Sequence, residues 1–226
     1  MKQSNHRNLL AGIGFLLAFA LWTVLIQYVD VRVVGPEETK IGFAAFNVWF
    51  HRLTGVHIIL YTVTDWLGLI PVGICLGFGV LGLVQLIRRK SLRQVDPDIL
   101  LLGLYYMLVI LGYLLFEVVT INYRPILIEG RLEASYPSST TLLVLSVMPT
   151  LKLQIDRRSN CVFVKKLTGA FVILFSVFTT IGRLVSGVHW ATDIVGAMFL
   201  SLGLFFIYRH GVGALDQRRK KNYGIQ

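Results

Sequence analysis

Long apolar runs constrain this chain more than any other feature of its sequence. Six such runs, separated by charged or turn-forming residues, are each close to the length that a helix needs to cross a hydrocarbon core of roughly 30 Å. Charged residues make up only 15% of the 226 residues, which is too few to cover a water-soluble globule. The sequence therefore predicts an all-α integral membrane protein with a single membrane domain and six transmembrane helices, at about residues 9–28, 66–87, 99–119, 138–153, 167–181 and 192–208.

The segment between the first two runs has a different character. Within residues 41–60, large apolar and aromatic side chains are mixed with Asn47, His51 and Arg52. This pattern favours an amphipathic helix that lies in the membrane interface, and a structured loop is the alternative.

The basic residues are divided unevenly between the two sides that these spans define. Sixteen of the 22 Lys and Arg residues fall on the side of the termini, and the other six are Arg32, Lys40, Arg52, Arg124, Arg131 and Arg183. Positive charge favours the cytoplasmic side of a cell membrane. We therefore expect cytoplasmic termini, including a basic tail at 209–226 with a disordered end from Asp216. The net charge of +10 is explained by topology, so no nucleic-acid partner is expected.

Polar residues with phosphate-binding or nucleophilic chemistry form three clusters on the predicted outer side. They are Glu117 with Arg124-Pro125, the run Tyr136-Pro137-Ser138-Ser139-Thr140-Thr141, and Gly182-Arg183 with His189 and Asp193. His189 and Asp193 are four residues apart, so on a helix the carboxylate could accept the Nδ1 proton of the imidazole. Nε2 of His189 would then be available as a nucleophile. A metal site at this pair would lack a third ligand at a suitable spacing, so none is expected.

The remaining polar residues of these clusters are suited to bind an anion. Arg124 and Arg183 can each present a planar set of N–H donors to phosphate oxygens. Ser138, Ser139 and Thr140 lie at a predicted helix start, where free backbone N–H groups favour a negative charge. A single interfacial Arg or His is usually structural, so the prediction of phosphate chemistry depends on the three clusters together.

These clusters resemble the three motifs of the type 2 phosphatidic acid phosphatase family, the integral-membrane lipid phosphatases related to the vanadium haloperoxidases. The family patterns are K-x6-R-P, P-S-G-H and S-R-x5-H-x3-D. The corresponding segments are Glu117-x6-Arg124-Pro125, Pro137-Ser138-Ser139-Thr140 and Gly182-Arg183-x5-His189-x3-Asp193. Their order and internal spacing agree with the family, and the resemblance extends over about residues 66–208.

The resemblance implies hydrolysis of a membrane lipid phosphate or diphosphate at the outer leaflet, without a metal or other cofactor. It implies that His189 attacks phosphorus to form a phosphohistidine and that Asp193 orients this ring. The groups implied to hold the phosphoryl oxygens are Arg124, Arg183 and the amides of Ser138 and Ser139. The lipid could be undecaprenyl diphosphate, phosphatidylglycerol phosphate, phosphatidic acid or diacylglycerol pyrophosphate, and the oligomeric state is left open.

The chain departs from the family patterns at Glu117, Thr140 and Gly182. Thr140 cannot replace the expected histidine as a general acid, because its hydroxyl does not titrate near neutral pH. An ionised, unpaired Glu117 at 4 Å from an anionic substrate would cost about 4 kcal/mol at an effective dielectric constant near 20. We therefore expect Glu117 to pair with Arg124 or Arg131, with proton donation by Glu117 as the alternative.

The same departures leave two functions open. The first is an active lipid phosphatase, in which the missing acid would favour a diphosphate over a monophosphate substrate. The second is a catalytically silent member that binds or moves phospholipid.

Overall fold

The computed structural model describes residues 2–222, with side chains described for residues 5–221. The described chain is mostly helical, with one short antiparallel pair of strands, β1 (Arg32–Val33) and β2 (Lys40–Ile41). The helices are α1 (Lys2–Tyr28), α2 (Ala44–Thr54), α3 (Ile58–Leu67), α4 (Leu69–Arg89), α5 (Pro97–Val118), α6 (Ser139–Arg158), α7 (Val162–Val185) and α8 (Ala191–Asn222).

All six predicted apolar runs are helical, but the count of six spans is not confirmed. Within the described residues, five helical segments are long and apolar enough to cross a membrane: Asn5–Tyr28, Ile58–Arg89, Pro97–Val118, Val162–Val185 and Ala191–Lys221. The fourth predicted span, which corresponds to α6, is not one of them.

The packing of α6 explains its lower hydropathy. It contacts α4, α5, α7 and α8, and its polar side chains Thr141, Ser146, Thr150 and Gln154 are fully buried. Two of these side chains bond to neighbouring helices: the Thr150 hydroxyl to the Tyr106 hydroxyl at 2.7 Å, and the Gln154 amide to the Tyr208 hydroxyl at 2.8 Å. A helix that is enclosed by other helices meets little lipid, so it can carry polar residues that bond across the helix interfaces.

Helix α8 also packs closely along α1. A Cβ atom added at Gly203 would lie 2.7 Å from the Leu16 side chain, and one added at Gly12 would lie 2.8 Å from Ile207. These glycines therefore allow the two helices to approach closely, as small residues do in membrane helix pairs.

The predicted interfacial helix at residues 41–60 is two helices. Helix α2 ends before Gly55, which has a φ of 71°, a left-handed value that glycine adopts without steric cost. Helix α3 then begins at Ile58 and is followed directly by α4, so the apolar stretch starts earlier than the predicted residue 66. The position of α2 in the membrane interface stays a prediction.

The basic tail is also more ordered than predicted. Helix α8 continues to Asn222, and a disordered end from Asp216 is therefore wrong for the described part of the tail. A bidentate ion pair connects this part of α8 to α6, because the guanidinium of Arg157 donates to Asp216 at 2.7 and 2.8 Å and lies 3.5 Å from Asp98. Residues 223–226 lie outside the described residues.

Candidate active site

The three clusters meet at one end of the helix bundle, where α5 and α7 end and α6 and α8 begin. The connection between α5 and α6 is held against the start of α8 by two long-range hydrogen bonds. The Trp190 indole donates to the main-chain oxygen of Tyr123 at 2.8 Å, and the Asn122 side chain donates to Asp193 at 3.0 Å. The three motifs of the sequence therefore converge, although they are distant along the chain.

His189 lies between α7 and α8, and its hydrogen bonds define which nitrogen carries the proton. Nδ1 lies 3.1 Å from the main-chain oxygen of Ser135. Nε2 lies 3.3 Å from a guanidinium nitrogen of Arg124 and 3.2 Å from one of Arg183. A carbonyl can only accept and a guanidinium can only donate. The proton is therefore on Nδ1, and the lone pair of Nε2 faces the two arginines.

Asp193 is fully buried in the first turn of α8. Its carboxylate lies 3.8 Å from Nδ1 of His189, beyond hydrogen-bonding distance. It accepts instead from the side chain of Asn122 and from the main-chain N–H of Trp190, both at 3.0 Å. The sequence predicted that Asp193 accepts the Nδ1 proton, but the main-chain carbonyl of Ser135 accepts it instead. Asp193 bonds to the segments around the ring and orders them.

Burial and positive charge both oppose protonation of His189. The ring is almost completely buried, and the guanidinium groups of Arg124 and Arg183 face it. Burial is the larger cause, and together with the two cations it holds the pKa of His189 well below its usual value of 6.5. The ring is therefore neutral at physiological pH, as a nucleophile requires.

Each arginine has a carboxylate on its outer side. Nε of Arg124 lies 2.9 Å from Glu133, and a terminal nitrogen of Arg183 lies 3.4 Å from Asp65. Arg183 is 1% exposed, whereas the side chains of Glu133 and Asp65 are 41% and 57% exposed. The guanidinium groups thus extend inward from a solvated acidic rim to the histidine.

A tyrosine ring lies against both guanidinium groups. The ring centroid of Tyr61 in α3 is 4.8 Å from Cζ of Arg183 and 5.9 Å from Cζ of Arg124. Both distances are within the range of cation–π attraction. Helix α3 precedes the three sequence motifs, so it adds residues to the site that the motifs do not include.

The second motif forms the N-terminus of α6, as predicted, but its amides differ in availability. The N–H of Ser138 donates to the main-chain oxygen of Asp193 at 3.3 Å, so this amide is used within the protein. Ser138 Oγ bonds to Thr141 at 3.1 Å. Ser139 and Thr140 are the first two helical residues, whose N–H groups have no acceptor within the helix. The predicted anion site is therefore reduced to the amides of Ser139 and Thr140.

Glu117 lies in the last turn of α5 and lines a small recess with Tyr113, Ser139 and His189. The expected ion pair with Arg124 or Arg131 is not formed among the described residues, because Glu133 pairs with Arg124 instead. The carboxylate of Glu117 interacts with the hydroxyl of Tyr113. Glu117 therefore faces the histidine side of the recess without a cation of its own.

A large apolar groove opens beside this recess. Its volume is about 810 Å³, and it is lined mainly by apolar residues of α4, α5 and α6. Its polar end is formed by Asp65, Tyr113, Ser139 and Thr140. Tyr113 and Ser139 also line the recess at His189, so the groove and the recess are adjacent.

Several residues of this site were not identified as site residues from the sequence. Ser135 acts through its main-chain oxygen, which no sequence pattern reveals, and Asn122 and Tyr61 lie outside the recognised motifs. Glu133 and Asp65 belong to none of the three motifs, and their pairing with Arg124 and Arg183 depends on the fold. Among the described residues, no group of three or more His, Cys, Asp or Glu side chains could hold a metal ion.

Comparison with known proteins agrees with this geometry. The sequence pattern of the PAP2 superfamily matches residues 117–216, which include all three motifs. No curated protein sequence matches the chain at a significant level. The fold is similar to a crystal structure of a transmembrane PAP2-type phosphatidylglycerolphosphate phosphatase from Bacillus subtilis, with 19% identity, a TM-score of 0.57, and coverage of 92% of this chain and 96% of that chain. Residues 117–216 therefore match the PAP2 superfamily, and the chain is a multi-pass membrane protein with a fold similar to that of a PAP2-type phosphatase.

Proposed function

We propose that this protein is a lipid phosphatase in which Nε2 of His189 attacks phosphorus. The observation that carries the proposal is the pair of guanidinium groups at 3.3 and 3.2 Å from this one nitrogen. A lone pair that faces two phosphate-binding groups is suited to attack a phosphoryl group bound between them. An Nε2–P bond forms while the P–O bond to the lipid breaks, and the leaving oxygen takes a proton. Water then attacks phosphorus, the N–P bond breaks, and inorganic phosphate leaves.

Arg124 and Arg183 bind the phosphoryl oxygens in this proposal. Their contacts strengthen as negative charge shifts onto these oxygens in the transition state, so they contribute to turnover as well as to binding. The N-terminal amides of Ser139 and Thr140 add donors and the positive end of the α6 dipole. Together these groups replace the water that a phosphate loses when it enters the site.

The apolar groove supports a lipid as the substrate. It begins beside Ser139 and Thr140 and extends along α4, where Val72, Leu76 and Val80 line it. A hydrocarbon or polyprenyl chain in this groove would bring its phosphate close to His189, because Tyr113 and Ser139 line both the groove and the recess that contains His189.

The group that donates a proton to the leaving oxygen is the least clearly defined element of this site. Thr140 lines the groove but cannot donate a proton near neutral pH. Glu117 lines the same recess as His189 and is the candidate acid. A leaving phosphate needs less help than an alkoxide, because it leaves as a stable anion with a pKa of about 6. We therefore infer a preference for lipid diphosphates over lipid monophosphates.

We also propose that the site faces the outer leaflet. The opposite end of the bundle contains the ends of α4 and α6 and the start of α7, with Arg88, Arg89, Arg157, Lys165 and Lys166. Such an excess of basic residues is typical of the cytoplasmic side. Cytoplasmic termini follow, because α1 begins and α8 ends at that side.

The test is phosphate release from matched lipid monophosphates and diphosphates by the purified full chain, with and without a metal chelator. His189→Ala should abolish release, whereas the control His6→Ala, an exposed histidine near the start of α1, should not change it. An active His189→Ala variant would contradict the proposal.

A catalytically silent, lipid-binding protein is the second candidate. Thr140 in place of a titratable group is the observation that favours it. In that case the wild-type protein would bind lipid phosphate without releasing phosphate, and His189→Ala would leave binding unchanged.

A further inference from the structure

We propose that Tyr61 is a positioning residue that holds Arg124 and Arg183 in the orientation needed to bind the phosphoryl group. The centroid of its ring lies 4.8 Å from Cζ of Arg183 and 5.9 Å from Cζ of Arg124. The inference rests on the proposed function, since it assigns a role in binding the substrate phosphate. It adds a residue of α3, which lies outside the matched region 117–216.

The two arginines need such support because they are close to each other and buried. Both donate to Nε2 of His189, at 3.3 and 3.2 Å, so two like charges lie beside the same atom. Their carboxylate partners, Glu133 and Asp65, are on the exposed side, and on the inner side the buried carboxylate of Asp193 accepts from Asn122 and the Trp190 N–H rather than from either guanidinium. The negative face of an aromatic ring attracts both cations without using their N–H groups. Those N–H groups therefore stay available for phosphoryl oxygens.

The position of Tyr61 depends on close packing of α3 against α7. A Cβ atom added at Gly182 of α7 would lie 2.6 Å from Cγ2 of Thr64, so α3 fits only because residue 182 has no side chain. The start of α3 is held by a bond from the His57 N–H to the main-chain oxygen of Ser186 at 2.9 Å. Gly182, which departs from the family motif, is thus the residue that admits α3 and its tyrosine to the site.

The comparison of three variants separates the ring from its hydroxyl and from the helix. Tyr61→Leu removes the ring, Tyr61→Phe keeps it, and Trp66→Leu removes an aromatic ring of the same helix whose side chain is 68% exposed. The measurements are kcat and KM for a lipid phosphate, and the binding of tungstate, a phosphate-like oxyanion, from the rise in unfolding temperature of the full chain in detergent.

We expect Tyr61→Leu to weaken tungstate binding and to lower kcat/KM by roughly 10- to 30-fold, the range of a desolvated cation–π contact. Tyr61→Phe should stay within about threefold of the wild type, because the face of the phenyl ring also attracts cations. Trp66→Leu should match the wild type. In an Arg183→Ala background, Tyr61→Leu should cost less than it does alone, because one of the two groups that it holds is then missing.

Three results would overturn this role: an unchanged Tyr61→Leu variant, a Tyr61→Phe variant as impaired as Tyr61→Leu, or an equal loss in Trp66→Leu. If Tyr61→Leu does not fold, Tyr61→Met takes its place in the same comparison. If the wild type and Tyr61→Leu bind tungstate and release phosphate equally well, the role of Tyr61 is overturned and the proposed function is not. A wild-type protein that does neither overturns the proposed function and this role with it.

Discussion

The main-chain oxygen of Ser135 lies 3.1 Å from Nδ1 of His189, closer than the carboxylate of Asp193, which lies 3.8 Å away. A backbone carbonyl therefore fixes the tautomer of the ring, and Asp193 is free to bond elsewhere. Its two oxygens accept from Asn122 and from the Trp190 N–H, both at 3.0 Å. Asp193 thus joins the α5–α6 connection to the α7–α8 connection and places a negative charge near the ring.

The first prediction separates these two tasks of Asp193. Asp193→Asn introduces an NH2 group that must face either the Asn122 or the Trp190 donor, so the variant should lose about 1–3 kcal/mol of stability. Asn122→Asp should also destabilise the fold, because it places two buried carboxylates side by side. The double variant restores one donor and one acceptor across the pair, so the unfolding temperature should recover.

Turnover of the same double variant should recover less than its stability does. The negative charge now lies on residue 122, farther from the imidazolium that needs it when His189 gains positive charge. The measurements are unfolding temperature and kcat for the two single variants and the exchange. A full recovery of kcat would show that only the hydrogen bonds matter, and no recovery of the unfolding temperature would contradict the pairing.

The second prediction concerns pH. Burial and the guanidinium groups of Arg124 and Arg183 lower the pKa of His189 in the folded protein. Below pH 6.5, His189 therefore binds a proton in the unfolded chain but not in the folded chain. The free energy of unfolding falls as the pH decreases from this value. The difference in free energy of unfolding between the wild type and His189→Gln should be constant above pH 7. Towards pH 5 it should change against the wild type. A constant difference across this whole range would contradict the lowered pKa.

The sequence predicted the apolar helices and the convergence of the three motifs, because both follow from local patterns. Hydropathy and spacing are properties of short segments, and His189, Arg124 and Arg183 meet as their motifs imply. The sequence-based predictions are wrong where tertiary contacts determine the local structure. Helix α6 can contain buried polar residues because other helices enclose it, and the tail continues α8 with Asp216 bound to Arg157 of α6.

The role of α3 was similarly invisible in the sequence. A single tyrosine such as Tyr61 in an apolar stretch does not predict a contact with arginine. Gly182 indicates only that the serine of the family motif is absent. The two observations become connected once α3 is seen to pack where a side chain at residue 182 would lie. The bond from Ser135 is equally hidden, because any residue at this position has the same carbonyl.

The third prediction tests this packing by restoring the family residue. Gly182→Ser would place Cβ at 2.6 Å from Cγ2 of Thr64 and push α3 away from α7. We expect kcat/KM to fall by about tenfold or more, in proportion to the loss of the Tyr61 contact. Thr64→Ser removes Cγ2 but keeps the hydroxyl that bonds to Leu60 at 2.8 Å, so adding it to Gly182→Ser should restore activity.

The control for this pair is Gly14→Ser, since a Cβ at this glycine of α1 meets no atom within 4 Å. It should match the wild type in unfolding temperature and activity. A Gly182→Ser variant with higher activity than the wild type would mean that the serine hydroxyl, rather than α3, is the missing contribution.

The fourth prediction uses two glycines of α4 as a matched pair. A side chain at Gly79 or Gly77 would meet no atom within 4 Å, but only Gly79 lines the groove. Gly79→Leu should displace about two methylene groups of a bound chain, worth about 0.8 kcal/mol each, and should raise KM for a long-chain lipid phosphate roughly tenfold. Gly77→Leu should have no effect, and neither variant should alter cleavage of a short-chain phosphate. Equal effects of the two variants would contradict binding of the chain in this groove.

The last prediction restores the missing general acid. Thr140 lies at the polar end of the groove, where its methyl group faces Gly68, the residue between α3 and α4, and the open volume can accept a larger ring. A general acid accelerates departure of a poor leaving group by about 10²- to 10⁴-fold. An alkoxide needs this proton, whereas a leaving phosphate, with a pKa of about 6, departs as an anion. Thr140→His should therefore raise kcat/KM for a lipid monophosphate much more than for the diphosphate with the same chain, and Thr140→Ser should change neither. An equal gain for both substrates would show that the new ring binds phosphate without donating a proton, and the inferred preference for diphosphates would lose its basis.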